Sequence, residues 1–489
     1  MKRKLFPNAI RALAVLLSLW CFWVLEADRA SVAETKLETV AGPVALYGDT
    51  GGPLVVVTHG FAGSTQMMQA ISRDLARGGF TVAAFDFLGH GRSSGVMSRD
   101  ITRIEGTTAQ LVTQTVAVAQ AVRDETGLDG PMALLGHSMA TDIIVRAAEV
   151  LPDVGALVAI SMYSQAVGAD RPKNLLILSG EWETRLRAVA LEAVHLLDPG
   201  AVEGQTVRAG DVTRRAAMAP MTEHLGVLYS PVTLAETRNW LAEALDHDLR
   251  GDARVTGRAI PGLLISLVIL GAWAAQAVPQ QRMTIPYLST GRFLVALIAP
   301  VVPAMGGAVG MGGALLGLAA FGHLMVFFLV WGVVGLVILA RFGRAPDRID
   351  PVGLLMVLGL CLVFSLAMDR YWAAFLPAGQ RLQLMALLLL GTVPFLMADR
   401  LLVADATLWQ RVLARVVPLA ALTGLMIGWP EQFGLLFTVL PVLVLFYLVF
   451  GTMGRFVAKR AGSEAVGLGL GIVLAWSIAA STPLFSAVM

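Results

Sequence analysis

Cysteine is almost absent from this chain: only Cys21 and Cys361 occur in 489 residues, and both sit inside apolar runs. That excludes a disulfide framework and a thiolate metal cluster, and leaves each thiol to act as a small buried hydrophobe. Charge is scarce too. Asp, Glu, Lys and Arg make up 15% of the sequence, against roughly 25% in a soluble globular chain. So little charge argues against a wholly soluble protein and excludes a disordered one and one that wraps nucleic acid.

The charge that is present is unevenly placed. Residues 12–259 carry 28 acidic and 20 basic side chains, a net charge of −8. Residues 260–489 carry 7 and 13, a net charge of +6. Lys2, Arg3, Lys4 and Arg11 open the chain ahead of an apolar run, in MKRKLFPNAIRALAVLLSLWCFWVLEADRA. A basic end before a short apolar run is a signal peptide or a signal anchor. No small-x-small cleavage site follows at once, and Trp20 is too bulky to precede a lipidated Cys21. Residues 1–30 are read as an uncleaved anchor.

Long Leu/Val/Ala/Gly runs fill residues 259–489. Candidate spans fall near 260–279, 293–311, 313–340, 352–375, 382–398, 414–429, 433–452 and 465–484. Each span needs about 17–25 apolar residues, and the apolar stretches 384–397 and 416–429 are short. Loop charge gives a second criterion. Arg282 and Arg292 lie in the first connection, Arg341, Arg344 and Arg348 in the third, Arg400, Arg411 and Arg415 in the fifth, and Arg455, Lys459 and Arg460 in the seventh. The even connections have little net positive charge. Alternation of this kind predicts odd connections in the cytoplasm, which puts the region between the anchor and residue 259 outside it. In a bacterial inner membrane that region would be periplasmic. His323 is the one titratable side chain well inside a span, and the run AMGGAVGMGGALLG at 304–317 predicts close helix packing or a tight turn.

The intervening region alternates short apolar runs with amphipathic stretches. Strands are predicted at 54–60, 80–86, 131–138, 154–161, 174–180 and 214–220. Helices are predicted up to Arg77, at 104–126 with Gly127 as terminator, up to Val150, and near 184–197 and 231–247. Such alternation means an α/β domain, here residues 31–258, with a mostly parallel sheet covered by helices on both faces. Ligand chemistry then belongs at the carboxyl ends of the strands. His59, Asp86, His137-Ser138, the Gly180-Glu181-Trp182-Glu183 run and His224 all fall there.

Three motifs at those ends, HGFAGS (59–64), DFLGHGRSSG (86–95) and LLGHSMA (134–140), make residues 38–250 resemble an α/β-hydrolase, near the serine aminopeptidase and monoglyceride-lipase-like branch. LLGHSMA corresponds to the G-x-S-x-G nucleophile elbow, with Ala140 in place of the last glycine. The resemblance implies Ser138 as nucleophile and the backbone N–H groups of Phe61 and Met139 as oxyanion hole. His224, in a loop after the last strand, is the implied base, in the chain order serine, acid, histidine. The acid position carries Glu183 where the family has aspartate, with Glu181 as the rival. His59, His90 and His137 are expected to shape loops, and Asp142 to be structural. No cofactor or metal is called for.

The expected reaction is acyl transfer: His224 takes the Ser138 proton, the alkoxide attacks an acyl carbonyl, and water or another acceptor releases the acyl-enzyme. Only about a dozen residues join the strands at 154–161 and 174–180, so no large cap is expected. The partners implied are an acyl-bearing small molecule, lipid or peptide, and the surrounding membrane lipids. The competing reading is a catalytically silent membrane receptor or scaffold, or a transport-coupled protein, on a hydrolase fold.

Overall fold

The computed structural model of the chain describes residues 2–101, 103–280 and 286–487, with side chains from residue 9 onward. Arg282 and the side chains of Lys2, Arg3 and Lys4, which carry part of the charge argument, lie outside the described residues. The chain divides into two compact units, one of Leu19–Gly262 with Arg370–Ala374, the other of Met1–Ser18, Leu263–Asp369 and Phe375–Met489.

The first unit holds a nine-stranded sheet. Its strands are β1 (Glu34–Thr39), β2 (Gly42–Tyr47), β3 (Leu54–Thr58), β4 (Thr81–Phe85), β5 (Met132–His137), β6 (Val154–Ile160), β7 (Asn174–Gly180), β8 (Thr206–Ala209) and β9 (Val212–Ala219). They lie in the order β1-β2-β4-β3-β5-β6-β7-β9-β8. β3 through β7 and β9 pair in parallel, while β1, β2 and β8 add antiparallel edges. The parallel strands are the continuous apolar runs of the sequence because both of their faces are covered; every residue of β3, β4 and β5 is buried. The hairpin β1–β2 and strand β8 lie outside the strands that the sequence predicts. β1 and β8 are edge strands with mostly exposed side chains, so no apolar run announces them.

The helices of this unit are α2 (Thr65–Arg77), α3 (Ala109–Thr126), α4 (Ala140–Val150), α5 (Thr184–His195) and α6 (Pro231–Ala244), after α1 (Lys2–Ala30). Ile71 and Leu75 of α2 and Trp240 and Leu241 of α6 pack with Val55, Val57, Val82, Ala84 and Leu135 on one sheet face. The alternate strand residues Val56, Ala83 and Leu134 are equally buried and face the opposite way. Local signals set the helix ends. Gly127 adopts φ 68° after α3, and Ser230 caps α6 by accepting from the Val232 N–H at 3.3 Å, with Pro231 in the first turn. Within this unit Asp28, near the end of α1, is buried against Arg77 of α2 at 2.6 Å.

In the second unit α7 (Ala259–Ala274), α8 (Thr290–Ile298), α9 (Val301–Met311), α10 (Phe321–Arg341), α11 (Pro351–Tyr371), α12 (Gln380–Leu402), α13 (Leu408–Gly428), the single turn α14 (Pro430–Phe433), α15 (Val439–Ala461) and α16 (Ser463–Ser481) follow one another. With α1, nine helical segments among the described residues are long and apolar enough to cross a membrane. The two segments that look short in sequence are helices of 23 and 21 residues. Their apolar runs stop at Arg381, Asp399, Arg411 and Arg415, but the backbone hydrogen-bond ladder continues through those residues. The predicted span 313–340 is corrected: the chain stays non-helical to Ala320, with Gly317 at φ 74°, and α10 starts at Phe321. Glycines let helix backbones meet. A methyl group at Gly391 of α12 would lie 2.5 Å from the Met325 carbonyl of α10. His323 is accounted for in the same unit, since its Nδ1–H donates to the Ala308 carbonyl at 2.9 Å and its ring lies on Phe433.

Candidate active site

In the parallel sheet, β3 connects to β4 on one side while β5 lies on its other side. This reversal opens a crevice beyond the carboxyl ends of β3 and β5. The turn after β5 carries Ser138, in the left-handed region at φ 54°. Such a conformation is costly for a residue with a Cβ. It is held by the Ser138 N–H bond to the Ile160 carbonyl (2.8 Å) and by the Thr141 N–H and hydroxyl bonds to the Ser138 carbonyl (2.9 and 2.7 Å). A Cβ on Gly136 would sit 2.8 Å from the Ala140 carbonyl oxygen and 3.2 Å from the Ala140 Cβ. The elbow therefore tolerates alanine at 140 because position 136 has no side chain.

His224 reaches this serine from the loop after β9. Its Nε2 lies 2.9 Å from Ser138 Oγ and its Nδ1 2.6 Å from Glu183 Oε1. With the Nδ1 proton donated to the carboxylate, Nε2 is left to accept the hydroxyl proton. Glu183 is almost fully buried while His224 is 44% exposed, so the carboxylate is shielded and the imidazole is open to a substrate. The second carboxylate oxygen accepts from Ser161 Oγ (2.8 Å) and the Gly180 N–H (2.6 Å). Burial pushes the Glu183 pKa up, but the hydrogen bonds from His224, Gly180 and Ser161 outweigh it and leave the group below the ordinary glutamate value. Glu181 is placed elsewhere: its Oε2 accepts from the Met221 N–H at 2.7 Å and braces the turn that leads to His224.

Phe61 lies in the turn after β3, and Met139 immediately precedes α4. The Phe61 turn is pressed against the elbow, since a Cβ on Gly60 would be 3.0 Å from Ser138 Cβ and 2.9 Å from His137 Nδ1. The first N–H groups of α4 point toward the space over Ser138 by virtue of helix geometry. The remaining histidines hold loops. His59 is fully buried; its Nε2 accepts from the Phe87 N–H (3.0 Å) and its Nδ1–H donates to the Gly60 carbonyl (2.8 Å). Asp86 accepts from the Thr65 and Arg92 N–H groups at 2.7 and 2.8 Å, tying the HGFAGS and GHGRSS turns together. His90 Nδ1–H donates to the Leu88 carbonyl at 3.0 Å. Asp142 pairs with Arg146 and accepts from Ser164 Oγ and the Gln165 N–H.

Two further supports complete the site, of which sequence reasoning singles out His137 as loop-shaping and misses Ser161. Ser161, at φ 55° beyond β6, donates to Glu183. His137 Nε2–H donates to the His224 backbone carbonyl at 2.9 Å, with the rings 4.8 Å apart. Only the position of Ser161 at the carboxyl edge of the sheet could have flagged it. Burial, then the proximity of His224, lowers the His137 pKa to about 4. The unfolded chain takes up this proton near pH 6.5 and the folded one only near pH 4. The contribution of His137 to stability is therefore constant above about pH 6.5 and falls as pH drops from there to about 4, by roughly 3 kcal/mol in total. Thermal unfolding of the full-length protein in detergent should show this acid-side loss, and His137→Asn, which cannot take up a proton, should flatten it. An unchanged profile in that variant would assign the loss to other groups.

The loop between β6 and β7 carries no helix. It is anchored below the crevice by buried Arg214, which donates to the Arg171 carbonyl at 3.0 Å and to that of Gly168. Tyr163, Trp182 and Met221, each just past a strand end, are 52%, 64% and 79% exposed. Met68 and Met162, by contrast, are fully buried core residues, not lining. Among the described residues no three His, Cys, Asp or Glu side chains are grouped to hold a metal.

Several solved structures resemble the chain. An epoxide hydrolase from an endophytic Streptomyces is 16% identical, covering 44% of this chain and 97% of its own, with a TM-score of 0.33. A proline iminopeptidase-related protein from Thermus thermophilus is 14% identical over 44% and 99%, with a TM-score of 0.33. A thermophilic esterase from Thermogutta terrifontis is 16% identical over 44% and 99%, with a TM-score of 0.31. Among curated proteins none matches. Residues 53–192 match the family described as alpha/beta hydrolase fold. The unit that carries Ser138, Glu183 and His224 thus has an α/β-hydrolase core, joined in one chain to an all-α region of several long apolar helices.

Proposed function

We propose that the protein is a membrane-tethered serine hydrolase, of the serine aminopeptidase and monoglyceride-lipase-like branch, that cleaves a carboxylic ester, lipid acyl or amide bond through an acyl-enzyme. The observation that carries this reading is the continuous hydrogen-bonded series from Ser138 through His224 to buried Glu183, at 2.9 and 2.6 Å. In the mechanism His224 Nε2 removes the hydroxyl proton as Ser138 Oγ attacks the carbonyl carbon. Glu183 holds the tautomer and stabilises the imidazolium that forms. The Phe61 and Met139 N–H groups receive the oxyanion, and His224 returns the proton to the leaving group. Water, activated by the same imidazole, then releases the acyl group.

An uncapped crevice rimmed by Tyr163, Trp182 and Met221 favours an acyl chain or another bulky apolar substituent, since exposed apolar groups clustered at a site mark binding surface. The arginine-rich odd connections and the basic N-terminus support an inner-membrane protein with this domain, residues 31–258, in the periplasm and residues 259–489 in the bilayer. A single experiment tests chemistry and orientation together: a membrane-impermeant fluorophosphonate added to intact spheroplasts that express the full chain. Covalent labelling is expected. Labelling only after permeabilisation would reverse the orientation, and its absence in both cases would favour the silent scaffold.

A further inference from the structure

The helical unit contains a cavity of about 630 Å³ between the α12–α13 connection and the C-terminal half of α15, and this site stands independently of the hydrolase chemistry. Among the described residues six cationic side chains line it, Arg400, Arg411, Arg415, Arg455, Lys459 and Arg460, and none of the lining residues is acidic. Asp399, behind the wall, pairs with Arg415 and offsets one of the six charges. The Arg415 guanidinium also lies over the Tyr447 ring, 4.3 Å from its centre.

Other buried arginines of this unit are spent on the fold. Arg344 donates to the Leu401 carbonyl at 2.9 Å and pairs with Asp405 at 2.5 Å, and Arg381 donates to the Ala479 and Thr482 carbonyls at 2.8 and 2.9 Å. Both therefore satisfy the carbonyls of helix C-termini. Arg400 differs. It lines the cavity, which Arg344 and Arg381 do not; it is 5% exposed, its Nε, like that of Arg381, has no hydrogen-bond partner among the described residues, and the Tyr447 hydroxyl in the same wall has none either. Unpaired buried donors around a concentrated positive charge call for an anionic acceptor.

Gln280, Thr452 and Ser463 add neutral polar groups to the wall, and Val412 and Leu419 from α13 with Val444 and Leu448 from α15 give it an apolar side. A cationic end that continues into an apolar cleft between two helices matches an amphiphile. We propose that this cavity binds an anionic phospholipid, its phosphate among Arg400, Arg411 and Arg415 and an acyl chain along the α13–α15 cleft. Guanidinium groups suit a phosphate diester because each can donate two parallel bonds to its oxygens. Basic pockets between membrane helices select anionic lipid headgroups for this reason. In the proposed orientation the cavity opens to the cytoplasmic leaflet.

The test is native mass spectrometry of the full-length protein released from detergent with phosphatidylglycerol or phosphatidylcholine added at equal concentration. Phosphatidylglycerol should be retained at least tenfold more tightly. Arg400→Gln should remove most of that preference. R411Q/R455Q, at less buried positions of the rim, should do the same and serves if the first variant does not fold. R341Q, at an exposed arginine outside the cavity, should keep it. Equal retention of the two lipids, or full retention of phosphatidylglycerol by folded R411Q/R455Q, would overturn the proposal. Displacement of the lipid by millimolar inorganic phosphate would also overturn it, by making a soluble anion the ligand.

Discussion

Replacing Ser138 by alanine should abolish acyl transfer and covalent labelling by a fluorophosphonate while leaving the fold intact. The side chain that is lost is a single oxygen at a position whose backbone strain is held by bonds from Thr141 and to Ile160, and none of those bonds uses Oγ. Stability should therefore change little. The rate should fall on the order of 10⁴-fold or more, because what remains is binding and oxyanion stabilisation without a nucleophile. That loss corresponds to about 5.5 kcal/mol of transition-state stabilisation. Hydrolysis of an activated ester by purified full-length protein, measured beside labelling, gives the answer. Equal labelling of S138A and the parent protein would remove Ser138 from the mechanism.

The second large effect separates the base from its acid, and one glutamate from the other. His224→Ala should be about as inactive as S138A, since the hydroxyl then has no acceptor at 2.9 Å. Glu183→Gln keeps the shape but replaces the acceptor opposite Nδ1 with a group that can donate. The imidazole would then be driven toward the wrong tautomer, and a loss on the order of 10³ to 10⁴-fold is expected. Glu181→Gln should cost much less. Its carboxylate accepts from the Met221 N–H and supports the His224 loop without touching the imidazole, and a glutamine oxygen can accept the same bond. Measured kcat/KM values for the three variants decide the assignment, and an E181Q enzyme crippled where E183Q is active would exchange the two roles. A change at Glu183 also disturbs Ser161 and the Gly180 N–H, so the E183Q unfolding temperature should be recorded with its rate.

The sequence by itself determined the division of the chain into a charged α/β stretch and an apolar helical one. It also located the central strands, because LVVVT and MALLGH are continuous apolar runs that only a covered parallel strand would use. The motifs singled out Ser138 and His224 in the same way, since a small-residue elbow and a histidine after the last strand are local features of the chain. Tertiary structure decided the rest. Glu181 and Glu183 are two residues apart in one loop, and only the path of β7 and the β9 loop brings Glu183 to His224 while Glu181 turns to Met221. The edge strands β1 and β8 are not legible in the sequence because an exposed strand owes its pairing to a neighbour, not to its own pattern. The same reason hides the arginine cavity. Arg400, Arg415 and Arg455 read in sequence as ordinary interfacial charges, and their convergence on one space follows from the placement of α12, α13 and α15 around it, which no single run of residues encodes.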